Sequence, residues 1–158
     1  MTKIEHIGIA VADLAQATPL YEALLGTPCY KTEEVASERV RTAFFKKGDQ
    51  KIELLEAANP ESAIAKYVAK KGEGIHHIAF AVDDIFQEVA RLKNLGFKII
   101  DETPKPGADN KLVVFLHPKS CGGVLVELCQ ERNDQWFVLH YEITVYICSQ
   151  FWSYSSVG

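Results

Sequence analysis

No run of apolar residues in this 158-residue chain approaches the ~20 needed to cross a bilayer as a helix. No positive excess is present either. Seventeen Lys and Arg stand against 21 Asp and Glu, a net charge of −4, so the chain lacks the basic footprint of a nucleic-acid binder. The start, Met1 to Glu5, is polar and acidic and does not read as a signal peptide. Cysteine is sparse: Cys29, Cys121, Cys129 and Cys148 lie scattered with no CxxC pair. Without a secretory signal they read as free thiols, not a disulfide framework. Together these absences predict a soluble cytoplasmic protein with neither membrane nor nucleic acid as partner.

What the chain does have is a repeat. Glu5-His-Ile-Gly-Ile-Ala-Val-Ala-Asp-Leu14 returns as His76-His-Ile-Ala-Phe-Ala-Val-Asp-Asp-Ile85, with His6 falling on His77. That spacing is too long for a solenoid and suits two half-domains. Each copy alternates bulky and small residues, as a strand with two unlike faces does. Ile7, Ile9 and Val11 share one face, as do Ile78, Phe80 and Val82. The other carries His6, Gly8 and Ala10, then His77, Ala79 and Ala81. An imidazole followed by small side chains predicts open space before the strand, a cavity wall.

The elements repeat too. A strand from Ile4 to about Ala12 precedes a helix from Leu14 to Leu25, closed by Gly26. Pro19 is awkward inside that helix, which could instead begin there with Thr18 as cap. Strands follow over Cys29 to Val35, Val40 to Phe45 and Lys51 to Glu56. A linking helix, Ala63 to about Lys70, ends at Gly72 and Gly74. The second copy reads as a strand (Ile75 to Val82), a helix (Ile85 to Leu95), and strands over Phe97 to Asp101, Lys111 to Leu116 and Val124 to Cys129. The expected fold is α+β, two paired β-α-β-β-β modules, and at 47% hydrophobic content one compact domain can bury its core. The expected limits are 3–56 for module one, 57–73 for the link, 74–130 for module two and 131–158 for an aromatic tail of unknown origin.

The last strand of each module carries a carboxylate between apolar neighbours of opposite parity: Glu53 between Ile52 and Leu54, Glu127 between Val126 and Leu128. Each module thus offers one His and one Glu away from its bulky face. A lone strand His is more often structural, but the same pair at matching places in two copies points to one shared site. His6, Glu53, His77 and Glu127 form a mixed nitrogen and oxygen set suited to Zn, Mn, Co, Ni or Fe. His76 faces Glu5 in the repeat and reads as structural. His117, in the His117-Pro-Lys-Ser loop, is a candidate for the cavity mouth.

With those motifs in place, the chain resembles the vicinal oxygen chelate superfamily over about residues 3 to 130. Within it, Pro60-Glu-Ser-Ala-Ile-Ala-Lys66 and Phe115-Leu-His-Pro-Lys-Ser120 are similar to the methylmalonyl-CoA epimerase family. The resemblance implies a curved sheet around a divalent metal, an acyl-CoA substrate and a homodimer. It also implies epimerisation through removal of the proton alpha to the thioester, with a metal-stabilised enolate and acid and base on two sides. Glu127 matches one such group. Where some members carry a second glutamate, Thr42 stands here, and where some carry Gln, Glu53 stands here. Lys105, Lys111 and Lys119, on turn segments near the expected mouth, are candidates for the coenzyme A phosphates. The alternatives are a glyoxalase I isomerase, which uses the same His, Glu, His, Glu order, a ring-cleaving dioxygenase, against which Glu53 counts, and a drug-binding protein of the bleomycin-resistance type.

Overall fold

A computed structural model describes residues 1–132; apart from Glu131 and Arg132, the expected tail lies outside the described residues. The first strand, β1 (Lys3–Val11), runs into α1 (Leu14–Leu25), and β2 (Lys31–Val35), β3 (Val40–Lys47) and β4 (Gln50–Ala57) follow. After α2 (Ala63–Lys71) come β5 (Gly74–Ala81), α3 (Ile85–Asn94), the two-residue β6 (Lys105–Pro106), β7 (Lys111–Leu116) and β8 (Val126–Glu131). The eight strands form one curved mixed sheet in the order β2-β3-β4-β1-β5-β8-β7-β6. Each module contributes four neighbouring strands. The two first strands, β1 and β5, meet antiparallel at the centre.

The bulky strand faces lie under helices. Val11, Ala43, Phe45 and Leu54 pack with Ala17, Leu14 and Tyr21 of α1. Val82, Val114, Leu116 and Leu128 pack with Ile85, Val89 and Leu92 of α3. On the opposite face Ala10, Val40 and Leu55 meet Ile64 of α2. The expected periodicity therefore positions α1 and α3, but not α2, on the faces where the sequence placed its large side chains.

Two expectations are corrected. Helix α1 begins at Leu14, not at Pro19, because the Asp13 side chain accepts from the Ala15 and Gln16 N–H groups at 2.7 and 3.3 Å and caps it firmly. Pro19 sits inside. The expected strand Phe97 to Asp101 shrinks to one bridge, Ile99 to Leu116, and pairing on β7 resumes only at Lys105–Pro106. Pro104 and Pro106 have no N–H to offer a ladder, so this edge cannot run on.

Candidate metal centre and its cavity

Register places the donors. Glu53 on β4 lies beside Gly8 on β1, and Gly8 lies beside His77 on β5. In the next row His6 lies beside Ala79 on β5, and Ala79 beside Glu127 on β8. Gly8 and Ala79 occupy equivalent positions of the repeat, each flanked by a donor from either module. The space before Gly8 is not open: a Cβ there would stand 2.2 Å from Cε1 of His77. The small residues of β1 and β5 thus admit close packing, with the His77 ring over Gly8 and α2 near Ala10.

His6 Nε2 and His77 Nε2 lie 2.9 Å apart. Glu53 Oε2 is 3.1 Å from the first and 3.7 Å from the second; Glu127 Oε2 is 3.1 Å from His77 Nε2 and 3.8 Å from His6 Nε2. Donor atoms about 2.1 Å from a common ion and at right angles to one another would be separated by about 3 Å. The three shorter spacings match that separation, and the two longer ones, 3.7 and 3.8 Å, exceed it. All four side chains are buried, and His6, His77 and Glu127 offer donor atoms within 4.8 Å of one another.

The electrostatics ask for a cation. Burial opposes charge on His6, but hydrogen bonds to Glu5 and Glu53 and the nearby Glu53 and Glu127 charges push its imidazole up to about 10. Burial would raise Glu127, yet its hydrogen bond with His77 and the charges of both imidazoles hold it below the usual carboxylate range. A proton on His6 here answers the carboxylates around it; a divalent ion would answer them more fully. Glu5, His6 and Cys129 form a second close group. It fits a metal poorly, because Glu5 already pairs with Lys51 at 2.5 Å. Burial, then the Glu127 charge, also raises the Cys129 thiol well above its ordinary value.

The centre forms part of the lining of a cavity of about 260 Å³ whose wall includes Val35, Val40, Leu55, Ile64 and Phe115. Thr42 lies on it, buried, and its hydroxyl donates to the Glu33 carbonyl at 3.4 Å. Lys105 lies on the lining, paired with Glu38 at 2.6 Å. Lys111 also lines the cavity but is buried, paired with Glu131 and 3.5 Å from Glu5, not an exposed loop lysine. The lining does not include His117 or Lys119. His117 caps the short 3-10 turn Pro118–Ser120, its Nδ1 accepting from the Lys119 N–H at 3.1 Å.

His76 was missed. It lines the cavity and its Nδ1 lies 3.0 Å from Nδ1 of His77, with burial and then the His77 charge lowering it to about 4. Strict strand alternation sends it to the far face. The register shift between Gly8 and Ile9 on the paired strand is invisible to that rule, and only the repeat, with Glu5 at the matching place, could have flagged the position.

A duplicated α+β sheet with one His and one Glu from each half converging on a point defines the paired-module class with a candidate metal site. The chain belongs to the Glyoxalase/Bleomycin resistance protein/Dioxygenase superfamily, whose pattern matches residues 5–115. It is 40% identical over 129 residues to the mitochondrial methylmalonyl-CoA epimerase of Homo sapiens, covering 81% of this chain and 73% of that one. It is 38% identical over 130 residues to the ethylmalonyl-CoA/methylmalonyl-CoA epimerase of Cereibacter sphaeroides, covering 81% and 97%. A Streptomyces coelicolor methylmalonyl-CoA epimerase variant in complex with 2-nitronate-propionyl-CoA superposes with a TM-score of 0.80 at 37% identity, over 83% of this chain and 95% of that one.

Proposed function

We propose that the chain epimerises methylmalonyl-CoA at a divalent ion, one of Co, Mn, Zn, Ni or Fe, held by His6, Glu53, His77 and Glu127. The observation that carries this reading is the convergence of two imidazole nitrogens and two carboxylates on the lining of a largely apolar cavity. Relatives matching more than 80% of the chain bear that activity in their names. An ion there would draw in the substrate's carboxylate and thioester oxygens and stabilise the negative charge that builds as the proton between them leaves.

The chain's own groups then move the proton. Glu127 reaches the acyl group from the β8 side and acts as acid and base for one face. Thr42, on the β3 side, has no proton affinity for the same task at neutral pH, so the proton for the opposite face has to come from another group, to which no side chain is assigned. The apolar wall of Val35, Val40, Leu55 and Ile64 keeps water from the reacting carbon. The assembly we read as a homodimer; Leu20 and Leu24 on α1 are 64% and 72% exposed, and sedimentation of the full chain measures it.

Glu53 favours a second reading, a glyoxalase I isomerase, because its carboxylate completes a His, Glu, His, Glu set. Incubation in heavy water with methylmalonyl-CoA, beside methylglyoxal plus glutathione, separates the two. Deuterium entering the methylmalonyl alpha carbon supports the epimerase. Lactoylglutathione formation without that exchange would replace it, and neither product would leave a binding protein.

A further inference from the structure

The residues preceding the two ligand histidines stand at equivalent places in the repeat and do unequal things. Glu5 Oε2 lies 2.5 Å from His6 Nδ1. Its other oxygen is held by Lys51 Nζ at 2.5 Å, with Lys111 Nζ at 3.5 Å, and Glu5 is only 5% exposed. A carboxylate so paired can only accept, so His6 donates from Nδ1, and an ion that displaced the proton from Nε2 would meet the lone pair of that nitrogen. At the matching position His76 Nδ1 lies 3.0 Å from His77 Nδ1. For His77 to present the lone pair of Nε2, its Nδ1–H must donate, and His76 must accept at Nδ1. An imidazole accepting there is neutral. The His76 ring is itself set by Tyr67, edge-on at 5.0 Å, whose hydroxyl donates to the Ile75 carbonyl at 2.7 Å.

We propose that Glu5 and His76 are positioning residues that make the two imidazoles unequal ligands, Glu5 rendering His6 the tighter one and His76 leaving His77 the weaker. The inference rests on the ligand reading given above. Its physical basis is that an anionic partner at the far nitrogen fixes the ring tautomer and raises the electron density at the ligating nitrogen, whereas a neutral partner fixes the tautomer alone. The two modules, nearly alike in backbone, are thereby given different hold on one ion.

The test measures Co²⁺ and Zn²⁺ dissociation constants of the full-length protein by competition with a chelator, together with thermal melting of the metal-free form. Glu5→Gln is expected to weaken both ions about 10–100-fold while the metal-free melting curve changes little. His76→Gln, another neutral partner that can still accept, is expected to change them by less than about tenfold, the lower end of that range. Equal losses in the two variants, a larger loss in His76→Gln, or no loss in Glu5→Gln would overturn the proposal. Should Glu5→Gln not fold, Glu5→Asp keeps the charge one methylene short of His6 and must still lose more affinity than His76→Gln. His6→Ala and His77→Ala run alongside: undiminished metal binding in both would overturn the ligand reading itself, whereas loss in both with equal Glu5 and His76 effects would overturn only the asymmetry.

Discussion

Glycine inside a strand ordinarily weakens it, and Gly8 is central in β1, paired on both sides. Its value is the room it leaves for the His77 ring, since a Cβ would reach within 2.2 Å of Cε1. Gly8→Ala should therefore swing His77 away from the donor set. The expected outcome is at least about a tenfold loss of metal affinity, read by chelator titration, and a variant that binds metal normally would show that the ring can yield. Thr42 makes the opposite case. Its hydroxyl has one long bond to the Glu33 carbonyl, so Thr42→Ala should cost less than the ~10²-fold loss that marks removal of an acid–base group; steady-state kcat checks it. At this scale parity in the sequence put His6, His77, Glu53 and Glu127 on one side, and the structure brings the four together. Parity could not tell that the space before Gly8 is occupied, because the occupant comes from the other module and its position depends on the β1–β5 register, which neither strand contains alone.

Among the elements, the helices were legible from apolar spacing and their glycine stops, and the structure adds local caps: Asp13, Ser62 and Asp84 accept from first-turn N–H groups. The segment after α3 was not legible, because what holds it lies far away in sequence. Residues 103–110 cross to module one and are fastened there. Asp109 takes Lys51 at 2.6 Å and Lys31 at 3.2 Å, and its N–H donates to Glu33 at 3.0 Å. Lys105 takes Glu38 at 2.6 Å. Burial would raise the Asp109 carboxyl, but the hydrogen bonds of Lys51 and Lys31 lower it below its ordinary value. Because the folded value is depressed, this fastening is fully present above the unfolded value of about 3.9 and is lost as pH falls through the folded one. Asp109→Asn should loosen the segment by about 1–2 kcal/mol at neutral pH, seen as faster amide exchange over residues 105–110. Wild-type protein should show that acceleration only in acid; equal exchange in both at pH 7 would mean the backbone bonds suffice.

For the whole molecule the proposed function raises the issue of how an acidic chain, net −4, would receive a polyanionic coenzyme A ester. The acyl end has to reach the donors, so the nucleotide must leave through the cavity mouth. Sequence alone offered Lys105, Lys111 and Lys119 as one patch. In three dimensions they separate: Lys111 is buried beside Glu5 and Glu131, and the cavity lining includes Lys105 but not Lys119. Burial of Lys111 was illegible because its partner Glu131 lies on the last described strand and pairs only through β7–β8 register. Lys105 is the ammonium suited to a phosphate, though it must first give up part of its pairing with Glu38, so the net gain from an exposed contact stays near ~0.2–1 kcal/mol. Lys105→Ala should raise KM for methylmalonyl-CoA by about two- to fivefold with kcat unchanged, and the increase should shrink as salt is added. Lys119→Ala should leave KM where it was. A truncated pantetheine thioester, lacking the nucleotide phosphates, should be indifferent to Lys105→Ala. An equal KM increase for both substrates would place Lys105 against the pantetheine or acyl portion and send the phosphates to another part of the surface.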